Sequence, residues 1–154
     1  MLLSGVLVDR TFFSQDASTY EVTKSKLQAI KTLESVLLVK SLDFFVAFSS
    51  IASFGNSGQT NYASANTDLE GYVRHYRDVF ALITPAIVDS VAISSALRHQ
   101  ERASQIEHLM PWAFSARDLC DCIEDGILLL ARRPVGLYVP TLKWDLIRHH
   151  LGPS

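Results

Sequence analysis

The run FFVAF at residues 44–48 is apolar with no polar alternation, and it is short and rich in aromatic and β-branched side chains. That pattern suits a strand buried on both faces, as in a parallel sheet. A second run, FALI at 80–83, is stopped by Pro85 and reads as the next strand. A third, VGLYV at 135–139, follows Pro134 and reads as the last, while residues 1–5 read as the tail of an earlier one. Between these runs the period becomes helical. Across 17–39, Leu27, Ile30, Leu33 and Leu37 recur at i, i+3, i+6 and i+10, with Asp16 or Ser18 placed to cap the start. A small-residue helix begins near Gln59 and extends to about Arg77. Ser115 opens another, whose Leu119, Ile123, Ile127 and Leu130 face inward and which Pro134 stops. A short lid-like helix is expected over 99–110 and a short closing element over 144–151. Strands alternating with helices predict an α/β fold with a parallel sheet of about four strands. Its edge near residues 1–5 would be left unpaired, and such an edge invites aggregation.

At 154 residues the chain has the size of one domain, and 48% hydrophobic against 19% charged residues is enough to pack a core. A net charge of −2 argues against nucleic acid or an anionic membrane as the main partner. No apolar run approaches the roughly 18 residues of a membrane span. Met1-Leu2-Leu3 runs into Ser4-Gly5 without a basic lead, so no signal peptide is expected and the setting is cytoplasmic. Cys120 and Cys122 are two apart on a predicted helix, cannot easily bridge each other, and read as reduced thiols. Asp118, Asp121, Glu124 and Asp125 have metal-ligand types but do not converge; they read as a solvated helix face, with no metal site.

The chemistry gathers behind the first apolar run. Ser49 and Ser50 sit at the carboxyl end of a buried strand, where open α/β sheets bind ligands. A turn-rich loop with Gly55, Asn56, Ser57 and Gly58 follows, and then Tyr62 and Asn66, four apart on one helix face. Ala63, Ser64 and Ala65 between them permit close approach. On the preceding helix Lys26 falls on the apolar stripe, whereas Lys24 and Lys31 project elsewhere. Taken alone, such a lysine reads as a snorkelling surface residue.

A strand-end serine, a tyrosine twelve or thirteen residues on, and a functional residue at tyrosine plus four together resemble the short-chain dehydrogenase/reductase signature. The match is closer to the ketoreductase domains of polyketide and fatty-acid synthases, on Gly58-Gln59-Thr60-Asn61-Tyr62-Ala63, the motif ending in Asn66, and the lead-in Leu42-Asp43-Phe44-Phe45-Val46. The resemblance implies the C-terminal, catalytic half of a doubly wound parallel sheet with flanking helices, a partial Rossmann fold spanning 1–154. It implies Tyr62 as proton donor, Lys26 within Lys26-Leu27-Gln28-Ala29 as the active-site ammonium, a serine holding the carbonyl oxygen, and Asn66 steadying the lysine or a relay water. A free phenol has a pKa near 10, and a nearby ammonium favours its phenolate. Ser49 and Ser50 stay open: strand alignment favours Ser50, and counting back from Tyr62 favours Ser49.

The resemblance also implies NADPH, held in part by Tyr62, Lys26, Ser4 and Gly5. The implied substrate is a β-ketoacyl chain carried as a phosphopantetheine thioester on an acyl carrier protein, with other synthase domains as partners. Leu7-Val8-Asp9 only partly matches a stereochemical marker of the family, and Phe54 stands where one class has tryptophan, so product configuration is not legible. None of the seven glycines forms a GxGxxG turn after a strand. The expectation is therefore a reductase domain that is inactive as these residues alone; the competing one is a non-catalytic structural or docking remnant of a synthase.

Overall fold

The computed structural model describes residues 10, 12–56, 58–90 and 109–150. Strands β1 (Phe45–Ser50), β2 (Val79–Thr84) and β3 (Leu137–Tyr138) lie parallel in the order β1-β2-β3. β1 and β2 pair along their whole length, from Phe45 opposite Val79 to Ser50 opposite Thr84. Helices α1 (Ala17–Val36), α2 (Thr60–Val73), α3 (Ala116–Leu130) and α4 (Trp144–His150) surround the sheet. This is the α/β arrangement that the two apolar runs and the helical periods predict.

The alternation of a strand explains why those runs carry no polar residues. Phe45, Ala47, Val79 and Ala81 pack on one face against Ile30 of α1 and Leu69 and Val73 of α2. Val46, Phe48, Phe80 and Leu82 pack on the other against Leu130 of α3, with Ile123 and Ile127 alongside. A third cluster of Ile51, Ile83, Trp112, Leu142 and Ile147 closes the carboxyl end of the strands.

Boundaries shift where local chemistry outweighs period. β1 runs two residues past Phe48, because Ser49 and Ser50 remain in the ladder opposite Ile83 and Thr84. α1 stops at Val36, and Leu37 lies 47% exposed rather than on the inward stripe. α2 ends at Val73 and turns out through bonds from His75 and Tyr76 back to Tyr72 and Val73. β3 keeps only Leu137 and Tyr138 in ladder register, although Val135 is buried in the core. Asp16 caps α1, its carboxylate accepting from the Thr19 N–H at 3.2 Å. Ser115 and Asp118 form a reciprocal capping box on α3. The strand expected over 1–5 lies outside the described residues, as does the helix expected over 99–110 except for Leu109 and Met110, which lead into the 3₁₀ turn Met110–Trp112.

Candidate active site

The end of β1 sends its two serines to opposite sides. Ser49 is 2% exposed and its hydroxyl donates to the Glu70 carboxylate on α2. The Ser49 carbonyl accepts from Thr84 Oγ1 at 2.5 Å. Ser50 faces a cavity of about 380 Å³ that it shares with Asn56, Gln59, Tyr62, Thr84 and Trp112. Its Oγ accepts from the Ala52 N–H at 3.2 Å and starts the turn Ile51–Phe54, which leaves the hydroxyl proton for another acceptor. The loop to α2 then reverses through Gly55 and Gly58, both at positive φ, where a side chain would be strained.

Tyr62 enters the cavity from the first turns of α2, and Lys26 approaches it from α1. The lysine is 4% exposed, so the ammonium is inside the molecule and does not snorkel to water. Its Nζ donates to the Phe48 carbonyl at 2.6 Å and lies 5.6 Å from the centroid of the Tyr62 ring. Burial pushes the Lys26 pKa down from 10.5 to about 8, while the charge of Glu70 works the other way. Asn66, fully buried one turn beyond Tyr62, donates from Nδ2 to the Tyr62 carbonyl at 2.8 Å. Its Oδ1 meets no donor among the described residues.

Lys26, Ser50, Tyr62 and Asn66 are thus gathered at the carboxyl end of β1, with Ser49 behind them; Ser4 and Gly5 lie outside the described residues. Sequence reasoning did not single out Glu70, although it follows Asn66 by four and Tyr62 by eight and so shares their helix face. Nor did it assign a site residue at the exit of β2. There Thr84 to Ile87 and Ser90 line the same cavity, fixed by the Phe114 N–H donating to the Ala86 carbonyl at 2.8 Å and the Val88 N–H donating to the Phe114 carbonyl at 2.9 Å. Away from the site, Asp118 serves the α3 cap and Asp125 accepts from the Tyr138 hydroxyl at 2.6 Å. Cys120 and Cys122 are free thiols. No helix among the described residues is long and apolar enough to cross a membrane.

Such a sheet, with its polar groups at the strand ends, has the fold of the short-chain dehydrogenase/reductases. A solved short-chain dehydrogenase/reductase family protein superposes with a TM-score of 0.60 at 14% identity, over 89% of this chain and 61% of that one. The model of the KR domain family matches residues 1–85, and the chain belongs to that family. The chain is 38% identical over 159 residues to the highly reducing polyketide synthase stpks1 of Strobilurus tenacellus, covering 100% of this chain and 6% of that protein. Over 154 residues it is 30% identical to the fusarin C synthetase of Gibberella moniliformis, covering 97% of this chain and 4% of that one. The chain therefore spans a small part of the length of these relatives.

Proposed function

We propose that this site reduces a β-ketoacyl thioester to its β-hydroxy form, with NADPH as reductant and the acyl chain carried on the phosphopantetheine of an acyl carrier protein. The observation that carries the reading is the convergence of Ser50 and Tyr62 on one cavity at the carboxyl end of β1, with the Lys26 ammonium 5.6 Å from the centre of the Tyr62 ring. The cavity, about 380 Å³, falls within the range of small-molecule sites and is polar where Ser50, Asn56, Gln59 and Thr84 meet it. The residues lining that space, Ser50 and Tyr62 among them, would hold a nicotinamide ring, which would supply the hydride.

The chain's own residues handle the oxygen. Tyr62 gives its phenolic proton to the carbonyl oxygen as that oxygen becomes a hydroxyl. Lys26, with a pKa of about 8, is largely protonated at neutral pH, and its charge beside the ring stabilises the tyrosyl oxygen as the proton leaves. Ser50 donates its free hydroxyl proton to the same carbonyl oxygen and stabilises the charge developing there. The unfilled Asn66 Oδ1 is a buried acceptor that a relay water or the ammonium can satisfy, and leaving it unmet costs roughly 1–3 kcal/mol. Other synthase domains are partners in this reading, in a cytoplasmic setting.

The experiment is Tyr62→Phe in a synthase that carries this sequence. NADPH oxidation with a decalone or a β-ketoacyl thioester should fall by about 10²–10⁴-fold or more, because one proton donor is removed with little volume. Cofactor affinity, read by NADPH fluorescence, should stay within about twofold, since the aromatic ring of residue 62 is kept and little volume is lost. Ketone reduction that survives Tyr62→Phe would sink the assignment and favour a docking or structural remnant.

A further inference from the structure

We propose that Glu70 is a positioning residue of this centre, which anchors the end of β1 through Ser49 and sets its charge opposite the Lys26 side chain beside Tyr62. The use of that role rests on the reductase reading above; its measurement does not.

Glu70 is 7% exposed, on α2 one turn before the core residue Val73. A carboxylate in such a place destabilises the fold unless its charge and its lone pairs are met. One partner is the Ser49 hydroxyl, which donates to it. With that bond, two successive residues of the strand end are tied by side chains from three elements. Lys26 of α1 holds the Phe48 carbonyl at 2.6 Å. Thr84 of β2 holds the Ser49 carbonyl at 2.5 Å, and Glu70 of α2 holds the Ser49 side chain. Ser50 is the next residue, and its direction into the cavity follows from the backbone fixed just before it. The second partner is Lys26, through space: its ammonium holds Phe48 while Glu70 holds the adjacent Ser49, so the two groups flank the same strand end. Burial favours the neutral amine, and the Glu70 charge opposes that loss. Glu70 and the Tyr62 phenol, both from α2, are the titratable groups described against this lysine, and β1 presents it with the Phe48 carbonyl.

An acceptor for Ser49 alone could equally be an amide, so Glu70→Gln separates the bond from the charge. The experiment uses the 154-residue chain labelled with ¹³C and follows the Lys26 ¹³Cε and Glu70 ¹³Cδ signals from about pH 5 to about pH 11, a range that brackets the Lys26 midpoint. In the native chain, the Glu70 carboxyl carbon should register a step at the Lys26 midpoint. In Glu70→Gln the Lys26 midpoint should move down by about one unit, the size expected for one nearby opposite charge, while Lys24 and Lys31 stay where they were. Glu70→Asp should recover part of that shift. A Glu70 carbon that is flat through the Lys26 midpoint overturns the proposal, and so does an unmoved midpoint in folded Glu70→Gln. If Glu70→Gln does not fold, the step in the native chain decides by itself. No turnover is read, so failure here leaves the reductase reading intact. Conversely, a synthase indifferent to Tyr62→Phe leaves the Lys26–Glu70 coupling standing.

Discussion

A lysine held at 4% exposure couples the stability of the fold to pH. In the unfolded chain Lys26 has its ordinary pKa of 10.5, and in the folded chain about 8. Below pH 8 both states are protonated and the full penalty of burying the ammonium is present. Between about 8 and 10.5 the unfolded state binds more protons, so stability rises with pH. The rise is on the order of 3 kcal/mol, by the 1.36 kcal/mol that each pKa unit represents. Lys26→Met keeps the apolar stem and removes the charge. The difference in urea-unfolding free energy between native chain and variant should therefore change across that window, with the native chain gaining as pH climbs. A constant difference would mean the ammonium is better solvated than its burial indicates. The neighbouring serines make a second test in a synthase carrying this sequence. Ser50→Ala should cost about 10²-fold or more in reduction, the scale of one lost oxyanion donor, and Ser49→Ala distinctly less. Counting residues left the two serines undecided, because the loop to Tyr62 is one residue short of the usual spacing. Direction separates them: the β1 ladder runs through Ser50, so consecutive side chains alternate, and Ser49 meets Glu70 while Ser50 meets the cavity.

At the scale of elements, the strands buried on both faces were legible because nothing polar interrupts them. α3 was legible because its cap and inward face agree. β3 and the ends of α1 and α2 were less so. The two-residue ladder of β3 leaves little pattern to read, and the apolar Leu37 and Leu38 continue the look of a helix past its end, although both are exposed. Packing between elements left its mark at one of two helical glycines. A Cβ on Gly126 of α3 would lie 2.6 Å from Cζ of Phe80, a ring that is wholly buried on β2. Gly126→Ala forces helix and sheet apart and should cost about 1–3 kcal/mol, the usual penalty of overpacking. A Cβ on Gly71, which is exposed on α2, would meet nothing within 4 Å. Gly71→Ala should stabilise by up to about 1 kcal/mol through helix propensity alone. Thermal melts of the two variants should move in opposite directions, and a matching shift would mean α3 does not seat on Phe80 as closely as described.

Across the whole molecule, the site belongs to no single element. Lys26 comes from α1, Ser50 from β1, Tyr62, Asn66 and Glu70 from α2, and Thr84 from β2, with Trp112 closing the cavity from beyond α2 and β2. Tyr62 and Asn66 were readable because a helix face repeats in sequence. Lys26 needed the family resemblance, since a lysine on an apolar stripe is ambiguous until a fold buries it. Glu70 was missed because its partners, Ser49 and Lys26, are 21 and 44 residues away along the chain. The same division of labour bears on what these 154 residues should do by themselves. They contain the groups proposed to act on a carbonyl oxygen, but no GxGxxG turn, the structure whose backbone N–H groups and helix N-terminus grip a pyrophosphate. Without that grip the nicotinamide is not held near Tyr62, and the proximity advantage, worth up to roughly 7–11 kcal/mol of barrier, is largely lost. The chain alone should therefore show no saturable NADPH oxidation with a decalone or a β-ketoacyl thioester, even with Tyr62 present. Saturable activity from the chain alone, abolished in Tyr62→Phe, would place cofactor anchoring within these residues and overturn that expectation.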